Sequence, residues 1–321
     1  MTYRSRDGGY DPPPMAATDP VVRFEDVTKR FGTFTAVDGV SFEVPRGSTF
    51  GILGSNGAGK TTSIRMLMNI FRPDQGRVEV LGSQVDEAVK PRVGYLPEER
   101  GLYKKMRLAE ALSYFGRIKG RDRAFLEPRI DRWLERMGLS GWKQRRIEEL
   151  SKGMAQKLQF IVTVVHEPEL LVLDEPFSGL DPVNRDVLRD AVLDLKREGT
   201  TVVFCTHVME QAEQLCDDLV LMHHGRIRLA GTPDAVRATE GRDAVSIRYA
   251  LRPGATLEGL PGVVSVHDRG QEAELTLVPG ASPSTLLRAL LERADLTGFE
   301  VRNPSLHEIF KRVVGATDEA T

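Results

Sequence analysis

The sequence predicts an α/β protein built on a parallel sheet around a phosphate-binding loop, followed by a small α+β domain. Three observations predict it. Residues 54–62 read Gly54-Ser55-Asn56-Gly57-Ala58-Gly59-Lys60-Thr61-Thr62 and fit the pattern G-x-x-x-x-G-K-[ST]. The run before them, Ser48 to Leu53, is short, apolar and β-prone, and Ser63 to Ile70 after them reads as a helix, which is the context the pattern needs. Leu170-Leu171-Val172-Leu173 is a continuous apolar run, as in a parallel strand covered on both faces, and helices and strands alternate after it. Near residue 240 the texture changes to short alternating strands and two amphipathic helices, enough for a separate core.

Taken in order, residues 1–19 are rich in Gly, Pro and Asp and read as a flexible tail. Val21, Phe24 and Val27, then Val40, Phe42 and Val44, mark short strands with turns at Gly32 and Gly47. Arg72 to Gly76 is a turn before an alternating strand, Arg77 to Leu81. Val93 to Leu96 is a buried strand that stops at Pro97. A helical block follows, with Leu108, Ala111, Leu112 and Phe115 on one face and Leu126, Ile130, Trp133, Leu134 and Met137 on another. After the strand at 170–173 come a helix from Asn184 to Glu198, a strand at Thr201–Cys205, a short helix from Met209 to Cys216 and a strand at Leu219–Met222. Past residue 240, Val245, Ile247 and Tyr249 alternate, as do Ala273, Leu275 and Leu277; Leu286 to Ala294 is helical, and Leu306, Ile309, Phe310 and Val313 mark a last amphipathic helix. The domain boundaries expected are 20–238 and 241–316.

Composition narrows the function classes. The 321 residues suffice for one large or two ordinary domains. A net charge of −2 gives no global bias toward nucleic acid or an anionic membrane. Cys205 and Cys216 have no metal-ligand spacing and read as small core residues, which fits a reducing cytosol. The N-terminus has no secretory signal pattern, and no apolar run reaches the roughly 18 residues that a membrane span needs. Any membrane span must therefore come from another chain.

The chemistry gathers at two places. The loop glycines let successive backbone N–H groups face a phosphate, and the helix N-terminus adds its partial positive charge. Lys60 reaches the β- and γ-phosphates, and the Thr61 hydroxyl ligates Mg²⁺. Asp174 and Glu175 end an apolar strand, and ligands in open α/β sheets bind at the carboxyl ends of strands. Asp174 is placed to hold Mg²⁺ and Glu175 to polarise an attacking water.

Between these two halves stands Leu150-Ser151-Lys152-Gly153-Met154-Ala155-Gln156-Lys157, and after them Ser178-Gly179-Leu180-Asp181 and then His207. Five motifs in this order resemble the ATP-binding subunits of ABC transporters, over about residues 20–235. The resemblance implies a P-loop NTPase (RecA-like) sheet with an N-terminal antiparallel β subdomain and a helical subdomain. It implies that Phe31, beside Ala36 and Val37, stacks on adenine. It also implies that Ser151 and Gly153 touch the γ-phosphate bound by the opposite subunit, that Asp181 lies in a loop crossing between subunits, and that His207 hydrogen-bonds the γ-phosphate. The implied cofactors are ATP and Mg²⁺. The implied partners are a second ATPase subunit, identical or not, and a separate membrane permease that holds this chain at the inner face of the cell membrane; no nucleic acid is expected.

Three positions depart from the family pattern. Glu98 stands where a glutamine is usual and becomes a third candidate for Mg²⁺ beside Thr61 and Asp174. Lys152 replaces the first signature glycine, and Met154 the signature glutamine. With Asn303-Pro304-Ser305-Leu306-His307-Glu308-Ile309-Phe310, these features resemble a bacterial subgroup that powers ABC-2-type exporters and carries a small C-terminal domain. Two other readings stand beside it: a permease-free ABC ATPase of translation or repair, and a non-hydrolysing regulatory module. The first lacks its usual second ATPase half or long coiled-coil insertion here, and Glu175 and His207 speak against the second.

Overall fold

Two antiparallel strands with an alternating pattern open the chain. In the computed structural model, β1 (Val22–Phe31) and β2 (Phe34–Val44) pair as a hairpin closed at Gly32. The structure describes residues 19–318 apart from 85, 87, 100, 240–243, 279, 303 and 304, so the tail expected at 1–19 lies, but for Asp19, outside the described residues. Next come β3 (Thr49–Gly54), α1 (Lys60–Leu67) and β4 (Gln75–Val80), and β4 returns to pair with β1. The result is the three-stranded sheet β2-β1-β4. Phe24 and Phe42 stack at 4.4 Å between ring centroids, and Phe42 stacks on Phe50 of β3 at 5.2 Å. This ladder of rings fastens the antiparallel sheet to the central strand, at about 0.5–1.5 kcal/mol per pair beyond the area buried.

β5 (Val93–Leu96) stops at Pro97 as expected, and α2 (Leu108–Ile118), α3 (Arg123–Arg136) and α4 (Lys152–Val164) form the helical block. Leu108, Ala111, Leu112, Leu126, Ile130, Trp133, Leu134 and Met137 are buried, as their spacing requires. β6 (Leu170–Asp174), α5 (Pro182–Arg197), β7 (Thr201–Thr206), α6 (Met209–Leu215), β8 (Asp218–His223) and β9 (Arg226–Gly231) complete the unit. The main sheet has the order β5-β6-β7-β3-β8-β9, and every pair from β5 to β8 is parallel. β3, β6 and β7 are buried at every residue, which is why they read as unbroken apolar runs.

The chain divides into two compact units after Ala230. The second holds α7 (Pro233–Thr239), β10 (Ala244–Leu251), β11 (Val263–Asp268), β12 (Glu272–Leu277), α8 (Pro283–Arg293), β13 (Ala294–Arg302) and α9 (Leu306–Asp318). Its sheet is antiparallel in the order β11-β12-β10-β13. Val245, Ile247 and Tyr249 of β10 pack with Leu275 and Leu277 of β12 and with Leu286 and Leu290 of α8.

Several boundaries differ from the sequence reading. The first helix begins at Lys60, three residues before the expected Ser63, because the loop leads straight into it. The helix expected to run from Leu286 to Ala294 ends at Arg293, and Ala294 opens β13, a strand the pattern did not reveal. The register of β13 against β10 shifts near Gly298, which breaks the alternation. β11 was also missed; all but its first residue are exposed, so it carries no apolar period. α4 was missed because Gln156, Gln159 and Thr163 interrupt its buried face.

Candidate active site

The strand order places three carboxyl ends side by side: β6, then β7, then β3. Asp174 pairs in register with Cys205, and Leu53 with Thr206, so the ends of all three strands lie at one level.

β3 runs directly into the loop. Gly54 has φ 154° and Gly59 φ 104°. A Cβ on Gly54 would stand 2.4 Å from the Met222 carbonyl oxygen, and one on Gly59 2.5 Å from that of Ala36. Both positions thus require glycine, by conformation and by space. One side of the loop packs on backbone of β8 and β2, while Asn56 and Gly57 are exposed and Ser55 is half-buried; Ala58 and Gly59 are buried. Gly59 caps α1 without any side-chain hydrogen bond, so the first N–H groups of the helix meet no capping oxygen there. Lys60 is 6% exposed, and its Nζ donates to the carbonyls of Gly54 at 2.8 Å and Ser55 at 3.0 Å. The ammonium is thereby held over the loop. Thr61 and Thr62 stand half-buried on the first turn.

Asp174 ends β6 and is 2% exposed. Burial pushes its carboxyl up to about 6; Glu98 and Glu175 push the same way, while a hydrogen bond from the Thr61 hydroxyl and the nearby Lys60 oppose them. Its Oδ1 has no hydrogen-bond partner among the described residues. A buried, unpartnered carboxylate oxygen beside a threonine hydroxyl is a fitting seat for a hard cation. Among the described residues no three His, Cys, Asp or Glu side chains gather into a closed metal cage. Mg²⁺ needs none, since it is typically held by one or two carboxylates, waters and phosphate oxygens.

Glu175 follows with φ 48°, a left-handed conformation that a residue with a side chain adopts at a cost of about 1–3 kcal/mol. That turn brings its carboxylate onto the end of β7. Oε1 accepts from the His207 backbone N–H at 3.1 Å and lies 2.7 Å from His207 Nδ1, and the Thr206 hydroxyl donates to Oε2 at 3.3 Å. The Glu175 side chain is 10% exposed and the His207 ring 52% exposed, so the pair is held on one side and open on the other. Sequence reasoning named both residues and did not foresee that they touch. It also missed Thr206, whose hydroxyl links Glu175, the Gln211 side chain and the Val208 N–H. Its place directly before His207 at a strand end was the available signal.

Ser151 caps α4, its hydroxyl accepting from the Met154 N–H at 3.3 Å, and Gly153 lies in the first turn. Asp181 caps α5 and accepts from the Asn184 N–H at 3.0 Å; this hydrogen bond holds its carboxyl below the usual range. Glu98 is exposed just past the end of β5 and shares with Glu175 a cleft of about 220 Å³. Phe31 lies at the tip of the β1–β2 hairpin, 44% exposed, its ring edge-on to Phe71 at 5.4 Å. The same hairpin carries Ala36, which abuts Gly59. Cys205 is buried and Cys216 half-buried, and burial pushes both thiols up, which suits unreactive core residues.

Known proteins resemble this chain over both of its units. The family described as ABC transporter matches residues 37–178, and one described as ATP-binding protein DrrA1-3-like, C-terminal domain, matches residues 231–314. An uncharacterized ABC transporter ATP-binding protein of Bacillus subtilis is 37% identical over 299 residues, covering 93% of this chain and 100% of its own. The Nod factor export ATP-binding protein I of Paraburkholderia xenovorans is 35% identical over 298 residues, covering 92% of this chain and 97% of its own. Among solved structures, an ATP-binding subunit of an ABC transporter superposes with a TM-score of 0.65 at 30% identity, over 68% of this chain and 93% of that one. Likeness of this extent, joined to a phosphate loop that faces Asp174 and Glu175 across one row of strand ends, places the chain in the ABC transporter family as one of its ATP-binding proteins, an ATPase of transport.

Proposed function

We propose that this chain hydrolyses ATP as one half of an ATPase dimer and drives export through a separate membrane permease of the ABC-2 type. The observation that carries the reading is the contact of Glu175 with His207 beside buried Asp174, level with the phosphate loop. The loop N–H groups, the start of α1 and Lys60 bind the phosphates. Phe31 offers the exposed ring on which adenine stacks. Thr61 and Asp174, with Glu98 beside them, would hold Mg²⁺, which when bound neutralises charge at the β- and γ-phosphates. Glu175 orients the attacking water and takes its proton. With His207 Nδ1 set against Glu175, Nε2 is the ring atom left for a γ-phosphate oxygen.

The dimer rests on where the signature lies. Ser151 and Asp181 are exposed caps of α4 and α5. α4 packs on β5, α2 and α3, whereas α1, which continues the phosphate loop, packs on β2, β3, β4 and β6. This supports giving Ser151, Gly153 and Asp181 to the nucleotide of a second subunit. No helix among the described residues is long and apolar enough to cross a membrane. The span would then belong to the permease, with this chain docked on its inner face, and the export relative supports the direction.

The test has two arms. Purified chain should hydrolyse ATP in a Mg²⁺-dependent way, and tagged chain should recover a membrane protein from detergent-solubilised cells. Hydrolysis by the purified chain with no membrane protein recovered by the tagged chain would overturn the permease half; absence of hydrolysis would overturn the whole.

A further inference from the structure

Two of the positions at which the sequence departs from the family pattern, Glu98 and Lys152, lie far apart in the chain and line the same cleft. Its three walls are the end of β5 with Glu98, the first two turns of α4, and the turn after β6 with Glu175 and Ser178. Lys152, Gln156 and Gln159 stand at i, i+4 and i+7 on α4 and so share one face of the helix. The two glutamines clasp the other walls: Gln156 Nε2 donates to the Pro176 carbonyl at 2.6 Å and Gln159 Nε2 to the Glu99 carbonyl at 3.2 Å. Each accepting residue directly follows one of the carboxylates. Lys152 is one turn before Gln156 on that face. Its ammonium lies over the turn at Gly179, where a Cβ would come within 3.0 Å of Nζ.

Among the described residues lining the cleft, the charged side chains are thus two carboxylates, Glu98 and Glu175, and one cation, Lys152. We propose that Lys152 is the counter-charge of Glu98 and Glu175, a positioning residue that lets this site carry an additional carboxylate near the triphosphate. The three charges border one cleft of about 220 Å³, and exposed charges closer than a Debye length, ~8–10 Å, act on one another. Asp174 adds a further negative group behind them, close enough to feel both Glu98 and Glu175. Without a cation on α4, Glu98 would raise the negative potential that an incoming triphosphate meets. With it, the loop after β5 and the start of the signature helix are drawn together by charge as well as by the two glutamines. The inference deepens the proposed ATPase reading and rests on it.

A double-mutant cycle tests it, using full-length wild type, Lys152→Ala, Lys152→Arg, Glu98→Gln and the Glu98→Gln/Lys152→Ala pair. The readouts are affinity for a non-hydrolysed Mg-ATP analogue by fluorescence titration, and KM and kcat for ATP, each at about 0.05 and 0.5 M salt. Lys152→Ala should weaken binding and raise KM by roughly 3–5-fold at low salt, the size expected of exposed charge interactions, with kcat changed less. Lys152→Arg should bring both back to within about twofold, since it keeps the charge. In the Glu98→Gln background the effect of Lys152→Ala should largely vanish, and at high salt it should shrink in any background. Additive effects, failure of arginine to rescue, or losses that ignore salt would overturn the proposal, because they mark packing at the start of α4 and not charge. A wild-type chain that binds no Mg-ATP would overturn it together with the ATPase reading.

Discussion

Lys60 donates two hydrogen bonds to loop carbonyls and is almost wholly buried, so its charge is fixed over the loop that we propose binds the phosphates. Lys60→Ala should nearly abolish ATP binding, since charge-assisted contacts of this kind contribute about 1.5–3 kcal/mol each. Calorimetric titration with ATP checks it; unchanged affinity would remove Lys60 from the site. Glu175→Gln keeps the shape of the side chain and removes its basicity. ATP binding should persist while hydrolysis slows by roughly 10²–10⁴-fold, and the uncleaved nucleotide should hold a dimer visible by size exclusion with Mg-ATP. Asp174 gives a prediction in pH. Its carboxyl is raised from 3.8 to about 6, so ionising it costs the folded chain free energy that the unfolded chain does not bear. That cost is absent below 3.8, grows as pH rises, and is complete above about 6. In EDTA, Asp174→Asn should therefore raise the melting temperature near pH 8 and change it little near pH 4, with an upper limit of about 3 kcal/mol. With Mg-ATP present the sign should reverse, because the amide cannot hold the ion as the carboxylate does. At this scale the sequence was informative where chemistry is local. The spacing of Gly54 to Thr62 and the placement of Asp174 and Glu175 at a strand end were legible. The contact of His207 with Glu175 was not, since it depends on β6 and β7 being neighbours.

Elements were legible where burial is one-sided or complete. β3 and β6 announce themselves as unbroken apolar runs, and α2 and α3 as single stripes. α4 hid because its buried face carries Gln156 and Gln159, whose amides serve the cleft instead of the core. At the same scale lies the segment that we propose carries nucleotide occupancy to a permease. Glu98 follows the strand end of β5, and Leu102 to Met106 lead from it into α2. Tyr103 is 56% exposed, with its ring stacked on Phe115 at 6.1 Å and edge-on to Tyr114 at 6.0 Å. Tyr103, Met106 and Tyr114 line an open hollow of about 560 Å³ with Lys104, Lys105 and Glu110. A largely exposed ring gives the fold little, so its removal should cost an assembly more than it costs the subunit. Tyr103→Ala with Met106→Ala should leave the ATPase rate of the isolated chain within a few-fold and weaken recovery of the membrane partner. Loss of the basal rate with intact recovery would assign these side chains to the fold.

At the scale of the whole molecule, texture alone showed that the chain changes character near residue 240, but not where the second unit begins. Contacts divide the chain after Ala230, so α7 goes with the C-terminal unit, where it packs against α9. A short helix looks the same in sequence whichever core it serves, and this pairing of α7 with α9 spans nearly the entire unit. The consequence is a specific expectation for truncation. Every residue assigned to the nucleotide precedes Ala230, and the first unit has its own core running from Val21 to Ala230. A chain ending at Ala230 keeps all but the last residue of β9 and should fold, bind Mg-ATP with affinity within a few-fold of the full chain, and melt as one transition. A chain ending at Thr239 instead keeps α7 and removes α9, leaving exposed the apolar face with which α7 meets it; Val236 is 1% exposed in the intact chain. The longer truncation should therefore be the less soluble of the two, although it retains more of the protein. Paired measurements of solubility, melting and nucleotide affinity on the two truncations decide the matter. Loss of affinity in the folded shorter chain would mean that the C-terminal unit contributes to the nucleotide site after all.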